Sequence, residues 1–201
     1  MTGKNEVISA AARMITRGTF VAVGVYTGDF SARLIQECTP DKFYCVDPYT
    51  PYPEFEDSLN DSSLLNGARE QAHNRLLSLG REVIFIEDFS VSAAKQFAGN
   101  SVDFIYIDGN HGYKFVSQDL EAWYPKLRPG GFMAGDDAHD VDDNSRNENG
   151  DCKIVWARDG QGKPTSEGMY GVREAVQSFC RLRSIKPDWP GYQFIFRKPP
   201  Q

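Results

Sequence analysis

Five short apolar runs, each with a glycine or an acid at its carboxyl end, set the limits on what this chain can fold into. They are Thr19–Val25, Lys42–Asp47, Glu82–Glu87, Val102–Asp108 and Phe132–Gly135. The runs are continuous rather than alternating, the pattern of strands buried on both faces. Helical periodicity falls between and around them, at 5–17, 31–38, 64–79, 92–97, 113–127 and 170–182. Strands interleaved with helices in this order specify a parallel sheet joined by right-handed crossovers. Tyr192–Arg197 adds a last strand, expected antiparallel at the sheet edge. The fold class is therefore α/β, a mostly parallel sheet with helices on both faces.

A chain of 201 residues suits one domain, spanning 1–201, and can bury a core without staples. Residues 138–168 are polar and rich in Asp, Asn and Gly, so they read as a long loop or substrate lid. Within it, 153–158 (KIVWAR) can pair briefly. The segment 48–63 mixes prolines with aromatics and reads as a loop of defined shape. A net charge of -6 argues against a phosphate-backbone partner, which needs a clustered basic face. No run approaches the ~20 apolar residues of a bilayer span. The first residues lack the apolar core of a secretion signal. Cys38, Cys45, Cys152 and Cys180 are far apart without C-x-x-C spacing, which implies reduced thiols and a cytoplasmic setting. Cys45 and Cys180 sit in apolar contexts as small core residues.

In an open parallel sheet, ligands bind outside the carboxyl ends of the strands. Gly24, Asp47, Asp88, Asp108, Asp136 and Asp137 all fall just past those ends. A single acid there would do no more than cap a helix; acids after four of the five strands point to a site. Gly24 and Gly28 allow backbone to approach a ligand closely at the first turn. Asp47, after the second strand, stands where an acid accepts from ribose hydroxyls. A nicotinamide-dependent oxidoreductase shares that arrangement, but G-x-G-x-x-G is absent because position 26 is Tyr.

The segments VAVGVYTGDFSARL, CVDPY, DFIYIDGNHGY, LRPGGFMAGDD and GVREAVQSF resemble a class I S-adenosylmethionine-dependent methyltransferase. More narrowly, the chain is similar to metal-dependent small-molecule O-methyltransferases of the macrocin and novobiocin sugar type, with a wider likeness to catechol O-methyltransferase. The likeness covers about residues 18–137 and the helix near 171–179. It implies a Rossmann-like fold with S-adenosylmethionine as cofactor. Gly24, Val25, Tyr26, Thr27 and Gly28 would hold the methionine portion, and Asp47 with Pro48 the ribose. Asp88, Phe89 and Ser90 would face the adenine. Asp108, Asp136 and Asp137 would bind a divalent cation, magnesium by type, with Asp108 also beside the cofactor. Hard cations prefer such oxygen ligands.

His111 lies three residues past Asp108, where the catechol enzyme has its lysine base, and a near-neutral imidazole suits that role. Asn110 occupies the position of the sugar enzymes' Asp base and cannot act as one. His73 and His139 lack comparable context, and Tyr113 lines the site or packs at a helix start. Ala22 departs from the family, which has Glu two residues before the first glycine; Asp29 is the nearest acid able to compensate. Asp140, Asp142 and Asp143 read as a solvated loop.

The expected activity is O-methyl transfer to a small hydroxylated molecule, sugar-like or phenolic, with Tyr49, Tyr52, Phe55 and Trp156 available to a ring or sugar face. The alternative class is a non-catalytic S-adenosylmethionine-binding protein, supported by Ala22. Neither nucleic acid nor membrane is an expected partner, and the composition is compatible with a homodimer.

Overall fold

The computed structural model describes residues 2–15, 17–53, 59–139, 141–146, 150–158 and 164–200. Phe55 and Asp140 lie outside the described residues, as do the side chains of Asp142, Asp143, Cys152 and Trp156.

The chain opens with α1 (Thr2–Met14), which buries Val7, Ile8 and Ala11. β1 (Thr19–Val23), α2 (Asp29–Cys38), β2 (Lys42–Val46), α3 (Ser62–Leu77), β3 (Val83–Ile86), α4 (Ser90–Ala94), β4 (Val102–Ile107), α5 (Tyr113–Trp123) and β5 (Leu127–Gly135) then alternate without a break. Three strands, β6 (Val141–Arg146), β7 (Cys152–Arg158) and β8 (Pro164–Tyr170), precede α6 (Val172–Leu182) and β9 (Phe194–Arg197).

The main sheet runs β3-β2-β1-β4-β5-β9, parallel except for the antiparallel β5–β9 pair at the edge. Alternate residues of each strand feed two separate cores. Phe20, Ala22, Phe43, Cys45, Phe104 and Tyr106 pack against α1, α2 and α3. Val21, Val23, Ile105, Ile107 and Met133 pack on the opposite face with α5 and α6. This is the period-2 consequence of a pleated strand covered on both sides. Cys38, Cys45 and Cys180 are free and buried, and burial pushes the Cys38 thiol up to about 12, out of reactive range. Among the described residues no helix is long and apolar enough to cross a membrane.

Element boundaries differ from the sequence expectation where a local bond decides. α3 starts at Ser62, two residues early, because Asp61 accepts from the N–H groups of Ser63 and Leu64 as an N-cap. α5 stops at Trp123, and β5 begins at Leu127 rather than Phe132. Pro129-Gly130-Gly131 is carried inside the strand, since Lys198 exchanges backbone bonds with Gly130 and Gly131. The largest difference is at 138–168. The polar stretch forms a second, three-stranded antiparallel sheet, β6-β7-β8, rather than a loop with one transient pair. Antiparallel strands can be joined by short connections, so these three pair in chain order.

Candidate active site

Strand order reverses direction at β1, whose neighbours β2 and β4 lead to helices on opposite faces. The carboxyl ends of β1 and β4 therefore part into a cleft, the switch point of an open α/β sheet. A cavity of about 510 Å³ opens there, lined among others by Gly24, Asp47, Ser90, Asp108, His111 and Asp119. That volume suits a cofactor-sized ligand.

The first wall of the cleft is made by backbone. Gly24 has φ 79°, and a Cβ at this position would lie 2.0 Å from the carbonyl oxygen of Asp108. Only glycine lets the loops after β1 and β4 approach so closely. Val25 and Tyr26 donate their N–H groups to Asp47 Oδ2 at 2.8 and 3.0 Å, and Tyr49 N–H donates to Oδ1 at 3.0 Å. A carboxylate offers about four acceptor sites. Three are taken, so Asp47 shapes the loop and keeps one for a ligand hydroxyl. Tyr49 Oη donates to the Tyr26 carbonyl at 2.9 Å. From outside, Arg75 on α3 donates to the Thr27 carbonyl and pairs with Asp29 at 3.0 Å. Asp29 also accepts from Thr27 Oγ1 at 2.6 Å. Asp29 thus braces the loop from the helix start, while Ala22 is buried in β1.

The second wall is made by side chains at the tips of β4 and β5. One carboxylate oxygen each of Asp108 and Asp137 and a ring nitrogen of His111 lie within 4.8 Å of one another. His111 Nε2 is 3.2 Å from Asp137 Oδ2 and 3.6 Å from Asp108 Oδ1; it is buried and makes no well-aligned hydrogen bond. Burial works to lower this imidazole's proton affinity. The adjoining Asp108 and the charges of Asp137 and Asp136 outweigh it and hold the pKa above the ordinary range. Asp137 has φ 56°, which turns the chain so that His139 Nε2 comes within 3.0 Å of its Oδ1. Asp136 is placed differently: its Oδ1 accepts at 3.0 Å from Gln193 Nε2, which also donates to Tyr106 Oη at 2.7 Å. Adjacent residues leaving a strand end diverge, and here one acid enters the cluster while its neighbour faces β9.

The small sheet is fastened beside this wall. Asp151, just before β7, is buried and accepts from Tyr113 N–H at 2.5 Å, capping α5. Gly171 N–H donates to the His111 carbonyl at 2.8 Å, and a Cβ on Gly171 would lie 2.3 Å from Tyr113 N. The Tyr170 ring stands 4.8 Å from that of His111.

Of the expected cofactor residues, Gly24, Val25, Tyr26, Asp47, Pro48, Phe89, Ser90 and Asp108 line the cavity. Thr27 and Gly28 face α3 instead, and a Cβ on Gly28 would press on Ala72 at 3.2 Å. Asp88 is not in the wall; its Oδ1 accepts from Phe89 N–H at 2.8 Å. His73 stacks on Phe85 at 3.7 Å, away from the cluster. Sequence reasoning passed over His139, Asp119, Asp151 and Gln193. A signal existed only for His139, two residues past Asp137.

No curated protein matches this sequence. Among solved structures, a Corynebacterium glutamicum protein aligns with TM-score 0.62 at 18% identity, covering 100% of this chain and 82% of its own. An rRNA methylase from Streptococcus thermophilus aligns with TM-score 0.59 at 13% identity, covering 100% and 98%. An O-methyltransferase family protein from Burkholderia thailandensis aligns with TM-score 0.59 at 12% identity, covering 98% and 56%. At such identities these likenesses establish the fold alone. The sequence pattern of the methyltransferase domain matches residues 21–138, the whole span from β1 through the Asp136-Asp137 turn, and the chain therefore belongs to that family of S-adenosylmethionine-dependent methyltransferases.

Proposed function

We propose that this protein is a methyltransferase acting on a hydroxyl of a small molecule, sugar-like or phenolic, with a divalent cation held at Asp108 and Asp137. One observation carries the reading. Two carboxylates and an imidazole converge at the β4 end of the cleft whose β1 end is a backbone-lined loop. Asp47 and the loop orient the donor, and Asp108, which borders both ends, fixes the distance between donor and acceptor. Holding both reactants in line supplies most of the acceleration in a displacement of this kind. A bound cation supplies Lewis acidity, which lowers the pKa of a coordinated hydroxyl. The donor set fits such an ion: oxygen ligands from two acids, with His139 hydrogen-bonded to Asp137 as an outer partner, while Asp136 is held by Gln193 outside the set.

His111 is the proton acceptor in this reading. An acceptor hydroxyl between the two acids lies within reach of Nε2, and the flanking carboxylates stabilise the imidazolium that forms. A second reading follows from the same nitrogen, which is buried without an aligned partner. If Nε2 is itself a ligand, a first-row transition ion is favoured over magnesium. An rRNA substrate, as named for the Streptococcus neighbour, fits poorly with a chain of net charge -6.

Calorimetry with S-adenosylhomocysteine, then a methyl-transfer screen over phenols and sugars with and without chelator, tests the proposal. Binding together with chelator-sensitive methylation of a hydroxyl supports it. Binding without turnover on any hydroxyl would favour a cofactor-binding protein instead, and binding of NADH alone would favour an oxidoreductase. Manganese titration of His111→Ala separates the two histidine roles: lost affinity marks a ligand, retained affinity with a slow rate marks the base.

A further inference from the structure

A single turn of the chain, remote in sequence from Asp136 and Asp137, treats these neighbouring acids differently. Residues 190–193 close on a bond of 3.2 Å from Gln193 N–H to the Pro190 carbonyl, directly before β9. The Tyr192 carbonyl accepts from Ala138 N–H at 2.7 Å, and the Tyr192 ring stacks on His139 at 4.3 Å. His139 Nε2 meets Asp137 Oδ1 at 3.0 Å, while Oδ2 of the same acid lies 3.2 Å from His111 Nε2. The turn thus backs Asp137 into the cluster. Its last residue, Gln193, takes the other acid.

Gln193 is 1% exposed, and its amide nitrogen has two hydrogens to give. They go to Asp136 Oδ1 at 3.0 Å and to Tyr106 Oη at 2.7 Å. An ionised carboxylate only accepts, so the amide must present its nitrogen to Asp136. Tyr106 is fully buried on β4, and its ring stacks on Phe30 at 3.9 Å, which fixes the far end of the bridge by packing. Gln193 Oε1 is buried without a partner among the described residues, so donor bonds alone hold the amide. Drawing Asp136 toward Asp108, His111 and Asp137 would break one of them and strand a buried amide hydrogen.

We propose that Gln193 is a positioning residue that keeps Asp136 out of the cation's shell, so that Asp108 and Asp137 are the only carboxylates holding the ion. The inference rests on the cation reading of the cleft given above. Affinity for a hard cation rises with the number of charged ligands. A site that withholds one carboxylate binds its ion less tightly, and leaves that coordination position to water or to an oxygen of the acceptor. The adjacent acids then have separate tasks: Asp137 ligates, and Asp136 ties the end of β5 to the start of β9 through Gln193.

Manganese titration followed by electron paramagnetic resonance tests this on the intact protein, in wild type, Asp136→Ala, Gln193→Leu and the double variant, each checked for an unchanged melting profile. Asp136→Ala should keep the wild-type affinity within about threefold, since no ligand is lost. Gln193→Leu, close in size but with no hydrogen to give, should tighten manganese on the order of tenfold by releasing a third carboxylate. Adding Asp136→Ala to it should remove that gain. Should Gln193→Leu melt early, Gln193→Met carries the same expectation. A larger loss in Asp136→Ala would make Asp136 a ligand and overturn the inference. So would unchanged or weaker binding in a folded Gln193 variant, or a gain that survives in the double variant. Asp137→Ala is the control: if it alone abolishes manganese binding, the cation reading stands whatever Gln193 does. Failure of the wild type to bind manganese overturns that reading and the inference with it.

Discussion

The two ends of the cleft are built by different means. At β1 the wall is a glycine turn whose Val25 and Tyr26 amides are turned to Asp47, and the side chains Asp47, Tyr49 and Arg75 serve to hold that backbone. At β4 and β5 the facing groups are side chains, Asp108, His111 and Asp137, with His139 bonded behind Asp137. The backbone wall carries the carboxylate of Asp47, most of whose acceptors are spent on holding the loop. The side-chain wall is adjustable and reactive, and depends on supports remote in sequence, such as Asp151 and Gln193. The two walls meet where Asp108 donates its N–H to the Val23 carbonyl and, most tightly, at the contact of Gly24 against the carbonyl of Asp108.

That contact is the place to break both ends at once. Gly24→Ala forces a Cβ into backbone, with φ 79° strained for any L residue. We expect S-adenosylhomocysteine affinity and cation affinity both to fall on the order of 100-fold or more, with a melting temperature lower by several degrees. Retained cation binding in that variant would mean that the β4 loop keeps its shape without β1. Asp137→Ala should do the opposite and sharpen the contrast. Methyl transfer falls on the order of a thousandfold and chelation has no further effect, while S-adenosylhomocysteine affinity stays within about threefold. Single-turnover assays and calorimetry on the same sample check it.

The backbone wall was the more legible from sequence. Val23-Gly24-Val25-Tyr26-Thr27-Gly28 after an apolar run already states a tight turn, and Asp47 at the next strand end states an acceptor. The mostly parallel sheet followed from alternation, and the antiparallel edge strand expected at Tyr192–Arg197 is β9, but the order of the strands was not read from the sequence. In the side-chain wall the residues Asp108, His111 and Asp137 could be named from the sequence, but not their arrangement. That Asp108 and Asp137 meet while Asp136 turns to Gln193 depends on how β5 ends and on a residue 57 positions later. His139 gains its place from the positive φ of Asp137, a local conformation no periodicity encodes. Ser90 could be named from its strand end, but Asp119 could not, because its meaning comes from α4 meeting α5 across the core. The same limit applies to 138–168, where polar composition hid strands that pair with one another.

Asp119, a buried acid on α5 in the wall of the same cleft, is a perturbed group that pH should expose. Its carboxyl is raised by burial to about 7, against about 4 in an unfolded chain. The folded state therefore takes up a proton between those values. The stability this group contributes is complete below about pH 4 and is lost as pH rises through about 7. Asn at 119 has nothing to lose. The stability of Asp119→Asn relative to wild type should therefore rise by about 2–3 kcal/mol from pH 5 to pH 8 in urea denaturation. A difference flat with pH would mean the acid is ionised and fully partnered in the native state.

The smallest change is Asp47→Asn, and it tests separability most directly. The carboxylate accepts from Val25 and Tyr26 on one oxygen and from Tyr49 on the other. An amide has one accepting atom, so either the loop or Tyr49 loses its partner, and the remaining bonds lose their charge assistance. The expected cost is about 1–2 kcal/mol in S-adenosylhomocysteine binding, roughly tenfold. Cation affinity at Asp108 and Asp137 should not change, since Asp47 touches neither. In the double variant with Asp137→Ala the two effects on S-adenosylhomocysteine binding should add to within about 0.5 kcal/mol. A larger coupling would show that the Gly24–Asp108 contact transmits loop position to the cluster, and the cleft would then be one site rather than two walls.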